Sequence, residues 1–184
     1  MKDTKKELIE LGDKYLKERG FNAFSYHDMA RQVGVKTAAI HYHFPFKKDL
    51  AIAIIQYNIS ELDSLKQKVK TLSESDKLRS LLDHFTDLQD DHLVCVQSAL
   101  LNDWNTLEPD IQRELKRYNK DFLNFLQEIL QSGLSKGDFK FNEPVRTQAL
   151  LILTNLMSAV QLSRIHGKED FWTIRNAILR SIRA

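Results

Sequence analysis

Between Gly34 and Leu50 the chain reads GVKTAAIHYHFPFKKDL, which places two histidines, a tyrosine, a threonine and three lysines within seventeen positions. Phenol, imidazole and ammonium groups of this kind hydrogen-bond phosphate oxygens, while a threonine methyl and alanines can touch the methyl groups of thymine. Catalysis asks for other patterns. There is no glycine-rich phosphate loop, no nucleophile elbow and no paired metal motif, and the serines lack a recognisable His/Asp arrangement. The expectation is therefore a binding protein without a cofactor, not an enzyme.

Other constellations carry less. Asp83, His84, Asp87, Asp90, Asp91 and His92 resemble metal ligands when taken together. On a helix, His84, Asp87 and Asp91 share a face and the other three scatter, so a solvated face is expected and no metal. Cys95, in HLVCVQSALL, sits among apolar residues and is expected to be a buried thiol; the sharper alternative is a sensor of oxidants or electrophiles. Phe85, Trp104, Tyr118, Phe122, Phe125, Asn155 and Met157, with Cys95 nearby, could line an apolar pocket with a few polar anchors, or serve as ordinary core.

The elements that position these groups are all helical. Leu8, Ile9, Leu11, Tyr15 and Leu16 follow a Thr4-x-x-Glu7 capping box and predict a helix that stops at Gly20. Ser25-x-x-Asp28 caps a second, short helix ending at Gly34, and Thr37 to Phe44 forms a third before Pro45. A long helix spans about 47 to 70. Ser75 caps the next one, and a short piece covers roughly 94 to 104. Glu108-Pro109 opens a helix that Gly133 and Gly137 end, and Glu143-Pro144 opens another, containing QALLILTNLMSAVQL. That run is apolar on nearly every side and needs cover from neighbours or a second subunit. A last helix carries Phe171, Trp172, Ile174, Ile178, Leu179 and Ile182. No strand alternation or internal repeat is seen. The fold class is all-α with about nine helices, divided into residues 1–47 and residues 48–184.

Composition agrees. The chain has 184 residues, 42% hydrophobic and 28% charged, enough for a core. Its apolar runs are too short for a membrane span, and its amino terminus alternates charge with apolar residues unlike a secretory signal, so a cytoplasmic protein is expected. One cysteine excludes an internal disulfide. The net charge of +2 is unevenly spread: residues 1–50 hold ten Lys/Arg against seven Asp/Glu, and the remainder is slightly acidic.

Two short helices joined by a glycine-containing turn form a helix-turn-helix, whose second helix enters the DNA major groove. Gly34 is the turn, Val35 and Ile40 plug the crossing, and Ala30 permits close approach. Small residues at Thr37, Ala38 and Ala39 let the backbone come near base edges, while Tyr42, His43, Lys47 and Lys48 reach phosphates. His41 is divided between DNA contact and packing, and Phe44 is expected in the core. With Ser25 and Lys36 at the helix starts, these residues make up the candidate DNA-binding set. An all-α adaptor with a vestigial helix-turn-helix, binding a protein through its carboxy-terminal bundle, is the alternative of another class.

The stretch GFNAFSYHDMARQVGVKTAAIHYHFPFKKDL also resembles the amino-terminal domain of the TetR family of bacterial transcriptional repressors. Gly20, Phe21, Ser25, Met29, Ala30, Val33, Gly34, Val35, Ala39, Ile40, His43, Phe44, Lys47 and Leu50 fall on that family's pattern. His41 stands where a tyrosine is usual, and Ala39 where threonine or serine is common. The resemblance implies a homodimer on a palindromic DNA operator. It also implies a carboxy-terminal domain that binds a small-molecule effector and dimerises through its last two helices, here about 144 to 166 and 170 to 183.

Overall fold

The computed structural model describes residues 4–183, and all statements of structure refer to these. Nine α-helices are present: α1 Thr4–Arg19, α2 Tyr26–Val33, α3 Thr37–His43, α4 Lys47–Val69, α5 Glu74–Asp90, α6 Val96–Leu101, α7 Pro109–Lys136, α8 Val145–His166 and α9 Lys168–Ser181. Short 3₁₀ turns occupy Phe21–Ala23 and Trp104–Thr106, and one isolated antiparallel bridge joins Phe139 to Arg183. The fold is all-α, as the periodicity requires. No helix among the described residues is long and apolar enough to cross a membrane.

The chain forms two compact units. The first comprises residues up to Glu61 together with Cys95–Asn119, and the second comprises Leu62–Val94 with Lys120–Ala184. Helices α4 and α7 each run through a boundary between them.

In the first unit α1 buries Leu8 and Leu16 completely. Gly12 allows α1 to approach α4 closely, because a Cβ there would stand 3.0 Å from Ile54 Cδ1 and 3.3 Å from Leu50 Cδ1. Beside this contact the Asn58 amide of α4 donates to Asp13 Oδ1 at 2.7 Å, and Lys17 pairs with Asp13 Oδ2 at 2.7 Å. Lys17 and Asn58 are buried, so the Asp13 charge is paired and hydrogen-bonded where water is scarce.

In the second unit α8 packs along α9 and α5. It buries Ile152, Leu153, Leu156 and Val160 and leaves Leu150, Leu151, Leu162 and Ile165 exposed, so the all-round apolar sequence is covered on one side. Leu156 and Ile178 are buried within the chain itself. Glu74, 2% exposed, receives hydrogen bonds at Oε1 from Lys136 at 2.7 Å, Ser132 at 2.9 Å and Lys77 at 3.0 Å.

Three expectations about helix limits are corrected. Ser73, not Ser75, caps α5: its Oγ accepts from the Asp76 backbone N–H at 3.2 Å, so the acid at the third helical position selects the earlier serine. Gly133 does not end α7 but lies inside it, where a Cβ would come within 2.0 Å of the Phe139 ring; Gly137, at φ 77°, follows the last helical residue. The piece expected over 94 to 104 divides into α6 and the turn at Trp104.

Candidate nucleic-acid interface

The first three helices follow from local chemistry. Ser25 Oγ accepts from the Asp28 backbone N–H at 3.3 Å, and Asp28 Oδ2 accepts from the Ser25 N–H at 2.9 Å, closing a capping box at the start of α2. The Ser25 hydroxyl also donates to Asp28 at 2.6 Å, and these bonds hold the Asp28 carboxyl below the usual carboxylate range. Gly34 ends α2 in the left-handed region at φ 78°, a conformation other residues resist, and the N–H groups of Gly34 and Val35 both return to the Ala30 carbonyl at 3.0 Å. Helix α3 begins three residues after Gly34.

Burial sorts the faces of α3. Ile40 is completely buried and Phe44 nearly so, as are Met29 and Ala30 on α2. Lys36, Ala38, His41 and Tyr42 are exposed; Thr37, Ala39 and His43 are half-buried. Tyr42 is 82% exposed, with its ring edge-on to His43 at 5.1 Å. A large aromatic is thus held far into solvent beside small residues, leaving this face of α3 open.

The site has a supporting layer that sequence reasoning missed. Tyr26 donates its hydroxyl to the Phe46 carbonyl at 2.9 Å, and the His41 ring lies edge-on to Tyr26 at 4.9 Å with Nδ1 3.3 Å from the Pro45 carbonyl. Burial, with Asp49 nearby, pushes the Tyr26 phenol up to about 12, so it remains a neutral donor. Asp49 accepts from the Phe46 N–H at 2.8 Å and thereby caps α4. The acid three residues after Phe46 was the available signal. Phe46 itself is 65% exposed, with the Lys48 ammonium 5.8 Å from its ring. On α2, Arg31 donates to His27 Nδ1 at 3.4 Å, adding two exposed polar groups outside the expected set.

Lys47 and Lys48 part company. Lys47 Nζ donates to the Phe21 carbonyl at 2.5 Å and the Phe24 carbonyl at 2.6 Å, lying 4.8 and 4.5 Å from the two rings. Burial lowers its pKa, with Asp103 and Asp28 opposing the shift. The ammonium expected at a phosphate is thus committed inside the first unit, because two loop carbonyls need a donor there. Lys48 has no such engagement.

The residues proposed as an effector lining are divided between the units. Cys95, Trp104 and Tyr118 belong to the first, and Phe85, Phe122, Phe125 and Asn155 to the second. Cys95 is buried and caps α6, its Sγ accepting from the Ser98 N–H at 3.4 Å. Burial, with Cys95 and Asp13, pushes the Tyr118 phenol far above its usual value. Trp104 is half-buried, with the Lys116 ammonium 5.3 Å from its ring. In the second unit the Phe85 and Phe122 rings meet edge-to-face at 6.0 Å. Phe125 borders a cavity of about 360 Å³ together with Val69, Ile129, Lys66, Lys70 and Lys77. Asn155 is exposed and donates to the Leu151 carbonyl of its own helix at 2.6 Å. Among the described residues no group of three or more His, Cys, Asp or Glu converges on a metal position.

Comparison with known proteins places this geometry. Residues 8–54 match the family model for bacterial regulatory proteins of the tetR family. The fatty acid metabolism regulator protein of Bacillus subtilis (strain 168) is 22% identical over 177 residues, 94% of this chain and 90% of its own. A TetR transcriptional regulator from Legionella pneumophila superposes with a TM-score of 0.89 at 24% identity, over 100% of this chain and 99% of its own. The transcriptional regulator FadR from Bacillus subtilis, solved in complex with stearoyl-CoA, has a TM-score of 0.73 at 20% identity, over 95% of each chain.

Proposed function

We propose that the chain, whose residues 8–54 match the tetR family model, is a DNA-binding transcriptional regulator of that family, and that it works in the cytoplasm as a homodimer that represses from a palindromic operator and is released by a small-molecule effector. In this reading residues 1–47 read DNA, and residues 48–184 bind the effector and dimerise. The family consists of regulators and not of enzymes.

The observation that carries the reading is the two-faced α3: Ile40 anchors it in the interior while Lys36, Ala38, His41 and Tyr42 face solvent. Ala38 and the half-buried Thr37 and Ala39 approach bases. Tyr42, His43 and Lys48 hold phosphates, and Ser25 and Lys36 flank them. Lys47 supports them from within.

The exposed Leu151, Leu162, Ile165 and Trp172 of α8 and α9 form the dimer face in this reading. A twofold axis there sets two copies of α3 about 34–36 Å apart on one side of the duplex. The effector is apolar, in keeping with the aromatic lining and with the stearoyl-CoA bound by the Bacillus subtilis FadR. Its binding energy must differ between the DNA-bound and released states, and displacement of α4 is the means by which that difference moves the two reading helices out of register. Cys95 is structural in this account, since its thiol is buried and engaged at the α6 cap.

The test is release. Operator fragments captured by the protein are challenged with a panel of fatty acyl and aromatic compounds while binding is followed by fluorescence anisotropy. The reading expects a compound that lowers operator affinity at least tenfold without dissociating the dimer. Release that required dimer dissociation would contradict it.

A further inference from the structure

The start of α5, the end of α9 and the connection between α7 and α8 enclose a second cavity, of about 160 Å³, in the second unit. Its floor is apolar: Leu78, Phe139 and Ile182 are each 5% exposed or less. Phe139 is held there by its contact with Gly133, and Ile182 by the bond from the Lys140 N–H to its carbonyl at 2.9 Å. The rim carries three exposed guanidinium groups, Arg79, Arg180 and Arg183. Among the described residues none of the three makes a side-chain hydrogen bond or ion pair, and no acidic side chain lines the cavity.

Three guanidinium groups around one apolar hollow repel one another, and among the described residues no acidic side chain borders the hollow to offset them. The first turn of α5, which contributes Ser75, adds the positive end of a seventeen-residue helix. Guanidinium forks match carboxylate oxygens two at a time. A hollow near 150 Å³ with apolar walls is of the size that accepts a benzene ring. We propose that this cavity binds a small organic carboxylate, its apolar body on Phe139 and Ile182 and its charged end among Arg79, Arg180 and Arg183. The site is separate from the effector lining, since Phe85, Phe122, Phe125 and Asn155 do not border it.

The probe is benzoate, titrated calorimetrically into the full chain, with benzyl alcohol and inorganic phosphate as the two halves of its chemistry. The proposal expects saturable binding of one benzoate per chain and at least tenfold weaker binding of either control. Arg180→Gln and Arg183→Gln should each weaken benzoate about tenfold. Because both side chains are exposed, melting temperatures should stay unchanged and exclude misfolding. The proposal is overturned if benzoate does not saturate, if benzyl alcohol or phosphate binds as well as benzoate, or if the double variant binds benzoate like the parent.

Discussion

The ammonium of Lys47 lies 2.5 Å from the Phe21 carbonyl oxygen, twenty-six residues earlier in the chain, and 2.6 Å from that of Phe24. One side chain at the start of α4 thereby ties down the connection between α1 and α2. In the proposed reading the same contact makes Lys47 a support for the interface, while Lys48 meets phosphate.

Two lysines that look equivalent in sequence should therefore separate in a salt titration. Each phosphate contact contributes about 0.9 to the slope of log K against log salt. Lys48→Met is expected to flatten the slope by about that amount at unchanged stability. Lys47→Met is expected to leave the slope unaltered while lowering stability by about 2 kcal/mol, because two carbonyls lose a charged donor. Equal slope changes for the two variants would contradict the assignment.

Glu74 carries a stability that depends on pH. Burial works to raise its pKa, but hydrogen bonds from Lys136, Lys77 and Ser132 outweigh that effect and hold the carboxyl below its ordinary 4.5. A folded-state value below the unfolded one gives a contribution that is complete above the unfolded pKa and lost as pH falls through the folded one. Glu74→Gln should cost about 2 kcal/mol at neutral pH. The gap in melting temperature between parent and variant should narrow as pH falls below the ordinary 4.5 and through the lower folded-state value. A gap that stayed at full size at every acid pH where the parent remains folded would mean that packing, not charge, is its source.

Gly133→Ala gives a prediction of unusual sign. In an exposed helix interior, exchanging glycine for alanine stabilises by up to about 1 kcal/mol. Here the new Cβ meets the Phe139 ring at 2.0 Å, and α7 or the ring must move. Thermal unfolding should show a loss of about 1–3 kcal/mol, and a gain would show that Phe139 yields freely.

The dimer proposal is tested on exposed positions, not buried ones. Ile165 is 78% exposed in the single chain, whereas Leu156 is fully buried. Ile165→Glu should give a folded monomer in sedimentation equilibrium with weakened operator binding. Leu156→Glu should unfold the second unit. A dimer unaffected by Ile165→Glu would locate the interface elsewhere.

Much of this molecule could be read from the chain alone because its signals are local. The Ser25–Asp28 box, the turn at Gly34 and the start at Pro109 each depend on residues within one helical turn, and each lies where periodicity and capping place it. Gly133 misled because a helical glycine and a terminating one look alike until its packing neighbour is known. The contacts of Lys47 were not legible for the same reason: its partners, Phe21 and Phe24, are brought to it by the fold and not by spacing. The last two helices read as a dimer face, yet Leu156 and Ile178 on them are buried within the chain itself, because an apolar stripe does not tell burial within one chain from burial between two. The effector lining was the least legible, since aromatic residues at helical spacing serve core and pocket alike.

The central claim, that α3 reads a specific operator, is tested most directly by selecting genomic fragments on the purified protein and sequencing what is retained. The account predicts enrichment of a short palindrome bound with a steep salt dependence, and at least tenfold weaker binding by Tyr42→Ala at unchanged dimerisation. Retention of no common sequence at low salt, or a palindrome bound equally well by Tyr42→Ala, would contradict it.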